Sequence, residues 1–205
     1  PLATVRVADF AAASIAPWRR LVPQRNSLSL DGASGAAGFT HLFNAMNPLH
    51  HREPGMVGAA LAHAEYAEII PDLLHVHPGA IKVALRAIPH LYCVTDSTAA
   101  TGMPDGDYML GRQLVHKCMG GVRLPDGTLA GSTLTMDQAL RNLVGIGLDL
   151  ADASKRVSTN AADYLGESER GRLAAGCFAD IVVLDRNLHI KAVYIEGEVC
   201  DLTDA

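Results

Sequence analysis

Tyr66-Ala67-Glu68-Ile69-Ile70-Pro71 and Leu91-Tyr92-Cys93-Val94-Thr95-Asp96 stand on either side of one loop and one helix, and their reading decides the fold. Both are short, mostly apolar runs closed by a turn-forming residue, which suits buried strands better than helices. Between them, His75-Val76-His77-Pro78 reads as a loop and residues 79–87 as a helix. The helix begins just after Pro78 because proline is pre-organised for a first helical turn. Strand, loop, helix and strand in that order imply parallel strands joined by a crossover helix. The pattern repeats upstream. Gly38-Phe39-Thr40-His41-Leu42-Phe43 is expected to be a buried strand, residues 44–55 a loop with Pro48, Pro54 and Gly55, and residues 56–64 a helix. The expected class is α/β. Reacting groups in such folds gather at the C-terminal ends of strands, which places His41, His75 and Asp96 on one face.

Past Asp96 the texture changes. Tyr108-Met109-Leu110-Gly111, residues 115–122 and Asp126-Gly127 read as hairpin strands with turns. Thr135-Met136-Asp137-Gln138 fits a capping box, and Met136, Ala139, Leu140, Leu143 and Val144 then form one apolar helical face. Helices are expected over 152–158 and from Asn160 to a stop at Gly166. The tail is strand-like at 181–184 and 192–195, with Glu196-Gly197 as a turn. Residues 1–37 hold no sustained period of 2 or 3.6 and are expected to be disordered or foreign to the fold, apart from a short helix over 7–15.

Composition excludes several classes. With 49% hydrophobic and 19% charged residues the chain can bury a sizeable core. A net charge of -5, no basic stripe and 5% aromatics argue against a nucleic-acid partner. No apolar run approaches the ~18 residues needed to cross a bilayer, so no membrane partner is expected. Four scattered cysteines with no C-x-x-C pair read as reduced thiols, and a cytoplasmic location is expected. Six of the nine histidines fall between positions 41 and 77, which marks where to look for acid/base or metal chemistry.

Each candidate has a plainer alternative. Asp96 ends an apolar strand, where a carboxylate is costly unless paired or bound to a cation. It reads as a metal ligand or general base, or equally as a turn or helix-capping aspartate. A lone strand histidine such as His41 is more often a hydrogen-bonded core residue than a ligand. His75 and His77 alternate on an extended segment, so at most one faces a given site. His50 and His51 read as solvated loop residues. Arg52 is either an anion-binding fork or a surface partner of Glu53. Gly131-Ser132-Thr133 is either an amide cradle or simply the approach to a helix.

Taken together, several strings resemble the N-acetylglucosamine-6-phosphate deacetylases of the amidohydrolase superfamily. They are Thr40-His41-Leu42-Phe43-Asn44-Ala45-Met46, His51-Arg52-Glu53-Pro54-Gly55, Asp72-Leu73-Leu74-His75-Val76 and Val94-Thr95-Asp96-Ser97-Thr98. Leu129-Ala130-Gly131-Ser132-Thr133-Leu134-Thr135-Met136 and the run from Arg170 to Asp180 complete the set. The resemblance implies a metal-dependent (β/α)₈ TIM-like barrel with a small β-sandwich. This chain has room for about the last three strand–helix units. Residues 38–172 would be the C-terminal part of the barrel and residues 173–205 strands of the β-sandwich.

The implied reaction is hydrolysis of the acetamide of N-acetylglucosamine 6-phosphate to glucosamine 6-phosphate and acetate. The resemblance makes His41 a metal ligand, Asp96 the catalytic acid/base and His75 a substrate contact. It assigns Asn44, Ala45 and Arg52 to the sugar phosphate and Leu129, Ala130, Gly131 and Ser132 to the sugar pocket. The implied cofactor is a divalent metal, zinc foremost, which lowers the pKa of its water from ~15.7 towards ~7. The implied partners are a phosphosugar and, in the full-length family, a second subunit.

This chain departs from the family pattern in four places. The family's upstream glutamate and Gly-His-Ser/Thr ligands have no counterpart, since residues 1–37 contain neither histidine nor glutamate. A His-x-His near the start is absent, Leu73 replaces a glycine, and Ala161 stands where Asn-Pro-Ala is usual. One matched ligand cannot assemble the usual three-ligand zinc centre, so impaired activity is expected. Two alternatives stay open: an amidohydrolase acting on another amide, and a non-catalytic sugar-phosphate-binding remnant.

Overall fold

The structure, a computed structural model, describes residues 2–3 and 38–202. The short helix expected over residues 7–15 lies outside the described residues. Two parallel strands, β2 (Tyr66–Ile69) and β3 (His90–Cys93), are joined by helix α2 (Pro78–Ala87), as the alternation of elements requires. Helix α1 (Gly55–His63) precedes β2. Glu68 lies opposite Tyr92, and Tyr66 opposite His90. Alternation then separates two faces. Ala67, Ile69, Leu91 and Cys93 join the main apolar core with Leu42, Ile81 and Leu143. Tyr66, Glu68, His90 and Tyr92 share the other face, which Tyr164 covers with ring centroids 5.4 Å from Tyr66 and 5.3 Å from Tyr92.

The strand expected over 38–43 is reduced to one parallel bridge, Phe39 to Ala67. His41, Phe43 and Ala45 adopt φ of 32°, 79° and 53°. Left-handed residues cannot continue an extended ladder, so the chain coils here instead. Likewise β3 stops at Cys93, and Asp96 stands beyond it at φ 48°.

An antiparallel meander follows: β4 (Gly106–Leu110), β5 (Gln113–Cys118), β6 (Gly121–Arg123) and β7 (Leu129–Ser132). The single run expected over 115–122 is split by a turn with Met119 at φ 49° and Gly120 at φ 76°. The segment that leads up to the helix is strand β7, because its backbone pairs with β6. Its Ser132 also bridges Ser97.

Of the helices α3 (Met136–Gly145), α4 (Leu150–Val157) and α5 (Thr159–Leu165), α4 and α5 pack on β3, and α3 packs on α4. Buried Arg156 of α4 donates to the carbonyls of Pro89 (2.8 Å) and Leu91 (3.2 Å), and Asn160 of α5 also donates to Leu91 (3.1 Å). Ala139, Leu140 and Leu143 bury the expected face of α3. The capping box does not form. Thr135 is the N-cap without a side-chain cap bond, while Gln138 turns to Asn142 (2.7 Å) and Arg141 (2.9 Å).

Strands β8 (Ile181–Leu184), β9 (Ile190–Ile195) and β10 (Glu198–Val199) form an antiparallel sheet, with β1 (Leu2–Ala3) on β8. Positive φ at Glu196 (54°) and Gly197 (88°) makes the tight β9–β10 turn. Among the described residues no helix is long and apolar enough to cross a membrane.

Candidate active site

The loop between β2 and α2 is organised by one carboxylate. Asp72 Oδ1 accepts the N–H groups of Leu74 (2.9 Å) and His75 (2.8 Å), while Oδ2 accepts Nδ1–H of His75 at 2.6 Å. The side chains of both residues are only 5% exposed. Burial alone would raise the Asp72 carboxyl. The His75 ring and the two N–H groups outweigh it and hold the pKa below the usual range. His77 faces elsewhere: its Nδ1 accepts from Gly79 N–H (3.1 Å) as the N-cap of α2. The expected divergence of His75 and His77 is therefore observed.

His41 sits in the left-handed coil after Phe39. Its carbonyl accepts from Asn44 N–H (2.9 Å), but its buried Nδ1 has no hydrogen-bond partner. An orphaned buried nitrogen is costly, and it fits a donor atom for a metal ion. Asp96 is exposed as a residue, yet enough protein surrounds its carboxyl to desolvate it in part. Burial pushes its carboxyl above the ordinary range; His41 and His75 pull it back, and Asp72 adds to the rise. Asp96 is thus close enough to His41, His75 and Asp72 for their charges to act on it.

Strand β7 supports Asp96 from behind. Ser132 N–H donates to the Asp96 carbonyl (2.9 Å), and Thr98 N–H donates to the Ser132 carbonyl (3.0 Å). Ser132 is fully buried; its hydroxyl donates to the Thr95 carbonyl and accepts from Leu134 N–H. Gly131 is buried at φ 136°. Leu129 and Ala130 are half-buried, so in this strand they are more open to a ligand than Ser132.

Arg52 is exposed, and its guanidinium bonds the His51 ring (2.8 Å) within its own loop rather than Glu53. Asn44 is half-buried beside Leu42, and Ala45 is exposed at φ 53°. The described residues contain no group of three or more His, Cys, Asp or Glu that could hold a metal ion. His41 fits as one donor; a complete ligand set does not assemble from the described residues.

Sequence reasoning attached no role to Asp72, nor to Glu68, whose buried carboxylate accepts from Thr40 and Tyr92. Glu68, like Asp96 a carboxylate beside apolar strand residues, carries the same sequence signal.

A sequence profile of the amidohydrolase family matches residues 31–200. The chain is similar to the N-acetylglucosamine-6-phosphate deacetylase of Lysinibacillus sphaericus, 43% identical over 169 residues, covering 80% of this chain and 44% of the relative. It is similar also to the N-acetylgalactosamine-6-phosphate deacetylase of Escherichia coli O157:H7, 42% identical over 81% of this chain and 45% of the relative. A solved structure of a Mycobacterium smegmatis N-acetyl-D-glucosamine-6-phosphate deacetylase mutant, in complex with N-acetyl-D-glucosamine-6-phosphate, matches with a TM-score of 0.76. That match is 39% identical and covers 82% of this chain and 46% of the other. The chain spans just under half the length of each of these three relatives. By its sequence and its fold, this chain belongs to the amidohydrolase family.

Proposed function

We propose that this chain carries the acid/base and substrate-binding part of a site that hydrolyses the acetamide of N-acetylglucosamine 6-phosphate. The observation that carries the reading is the Asp72–His75 pair beside Asp96, with the unpartnered His41 nitrogen in the same electrostatic neighbourhood. Asp96 has its carboxyl raised towards the range where it can first accept and then return a proton. It is the catalytic acid/base that protonates the leaving amine. Asp72 fixes the His75 ring so that Nε2 faces outward to contact the amide. Arg52 is the charge partner of the phosphate, with Asn44 and Ala45 beside it. Leu129, Ala130, Gly131 and Ser132 form the strand that backs the sugar pocket. His41 would be one ligand of a divalent metal, zinc foremost, which when bound supplies Lewis acidity. No group of three or more such ligands lies among the described residues.

The parallel β2–α2–β3 unit and its helices fit residues 38–172 as the last strand–helix units of a (β/α)₈ barrel. Strands β8–β10 fit residues 173–205 as part of a β-sandwich. The TM-score of 0.76 supports this reading. Free thiols at all four cysteines suit the cytoplasm, and the proposed assembly is a homodimer.

The test is acetate release by the 205-residue chain from N-acetylglucosamine 6-phosphate, its galactosamine epimer and unphosphorylated N-acetylglucosamine, with and without Zn²⁺. Release from the first substrate, lost without its phosphate or in Arg52→Ala, supports the proposal. The missing ligand set favours a second reading, a binding remnant. Glucosamine 6-phosphate binding without turnover, at any Zn²⁺ concentration, would establish that reading instead.

A further inference from the structure

We propose that Glu68 is a positioning residue that holds the His41 imidazole in place through Thr40. The effect on turnover rests on the reading of His41 above; the holding itself does not.

Glu68 is a 5%-exposed carboxylate in the middle of β2, among apolar neighbours. A charge there is costly unless its lone pairs are used. Its N–H donates to the Phe39 carbonyl (2.8 Å), and its carbonyl accepts from Leu42 N–H (2.8 Å). Its carboxylate accepts from the Thr40 hydroxyl through Oε2 and from the Tyr92 hydroxyl through Oε1 (3.1 Å). Three of these four bonds fall on Phe39, Thr40 and Leu42, the residues around His41.

His41 is held at φ 32°, a conformation that non-glycine residues rarely adopt. Such strain persists only where the surroundings over-determine it. The buried Nδ1 makes no bond of its own that would orient the ring. With no Nδ1 bond, the ring direction depends on the backbone and packing that carry it, and Glu68 clamps that backbone. Another residue at position 68 keeps the two main-chain bonds but loses the Thr40 bond. The carboxylate's distinctive contribution is its hold on Thr40. Tyr92 is the internal control: it occupies the other oxygen of the same carboxylate from β3, away from the His41 coil.

The experiment records long-range imidazole correlations of ¹⁵N-histidine-labelled 205-residue chain, with the His41 signal assigned by its loss in His41→Gln. Thr40→Val is expected to shift or broaden the His41 signals, Thr40→Ser to restore them, and Tyr92→Phe to leave them in place while still lowering Tm. If Thr40→Val does not fold, Glu68→Leu, whose side chain accepts from neither hydroxyl and which keeps both main-chain bonds, gives the second comparison, with movement of the His41 signals again expected. Movement of the His41 signals in Tyr92→Phe as large as in the Thr40 or Glu68 variant, or in none of them, overturns the proposal. Where the chain turns over N-acetylglucosamine 6-phosphate, Thr40→Val is expected to lower kcat about 10–100-fold with KM unchanged. A wild-type chain without turnover counts against the proposed function alone, and the imidazole signals then decide the role of Glu68.

Discussion

The His75 ring donates from Nδ1 to the Asp72 carboxylate at 2.6 Å, with both side chains almost wholly shielded from solvent. This pair fixes the tautomer of His75 and ties the loop after β2 to the β2–α2 unit. Removing the charge by Asp72→Asn is expected to cost about 1.5–3 kcal/mol, each kcal/mol lowering Tm by about 2–4 °C for a chain of this size. The pH dependence follows from the lowered Asp72 carboxyl. A group held below its unfolded value of ~3.9 contributes stability above that pH and loses it as pH falls through the folded value. The Tm gap between wild type and Asp72→Asn should therefore be full near neutrality and close below pH ~3.9. A gap that is constant across this range would contradict the assignment.

Asp96 carries the opposite sign. Its folded carboxyl is raised by burial, so its ionisation weakens the fold as pH rises past ~3.9 and through the folded value. Asp96→Asn should thus match wild type at low pH and exceed its Tm at pH 7. The same substitution is expected to reduce acetate release by about 10²–10⁴-fold. The acid limb of the wild-type kcat/KM profile should lie above the ~3.9 of an ordinary aspartate. Thermal melts at two pH values and a rate profile check both halves.

Gly131 leaves no room for a side chain. A Cβ there would lie 2.6 Å from Thr98 Cγ2 and 3.4 Å from the Asp96 carbonyl oxygen, at φ 136°. Gly131→Ala is expected to destabilise by more than about 1 kcal/mol. Thr98→Ser removes the clashing methyl, so the double variant should recover part of the loss in a denaturant titration. Additive losses would place the cost in the backbone angle alone.

Leu73 stands at φ 67° and is 37% exposed. A left-handed non-glycine residue costs roughly 1–2 kcal/mol. Glycine costs roughly 0.5–1 kcal/mol in unfolded-state entropy. Leu73→Gly should accordingly leave stability unchanged or raise it by up to about 1 kcal/mol, against the usual direction of a leucine truncation. A clear drop in the urea midpoint would mean that the side chain packs more than its exposure implies.

The β2–α2–β3 unit and helices α3–α5 are legible in the sequence because their signals are local. Pro78 starts α2, the spacing of Ala139, Leu140 and Leu143 marks the buried face of α3, and Gly166 ends α5 at φ 75°. The coil at 39–45 is not legible in this way. Phe39, His41, Leu42 and Phe43 have strand composition, and only the left-handed φ at His41, Phe43 and Ala45 in the folded chain makes the segment coil there. Strand β7 is not legible for a related reason: Leu129-Ala130-Gly131-Ser132 has weak strand propensity, and its pairing with β6 comes from outside the segment.

The sequence by itself determined the α/β class and the family and singled out His41, His75 and Asp96 as candidates, because motif order and residue chemistry are properties of the linear chain. Tertiary structure alone decided which groups surround them. It paired His75 with Asp72, closed the Ser132 hydroxyl into the backbone, and left the His41 nitrogen without a partner. It also brought Glu68 onto Thr40 across 28 positions. Hydrogen bonds over such separations depend on how the coil, strands and loops meet in space, and no local pattern of residues encodes them.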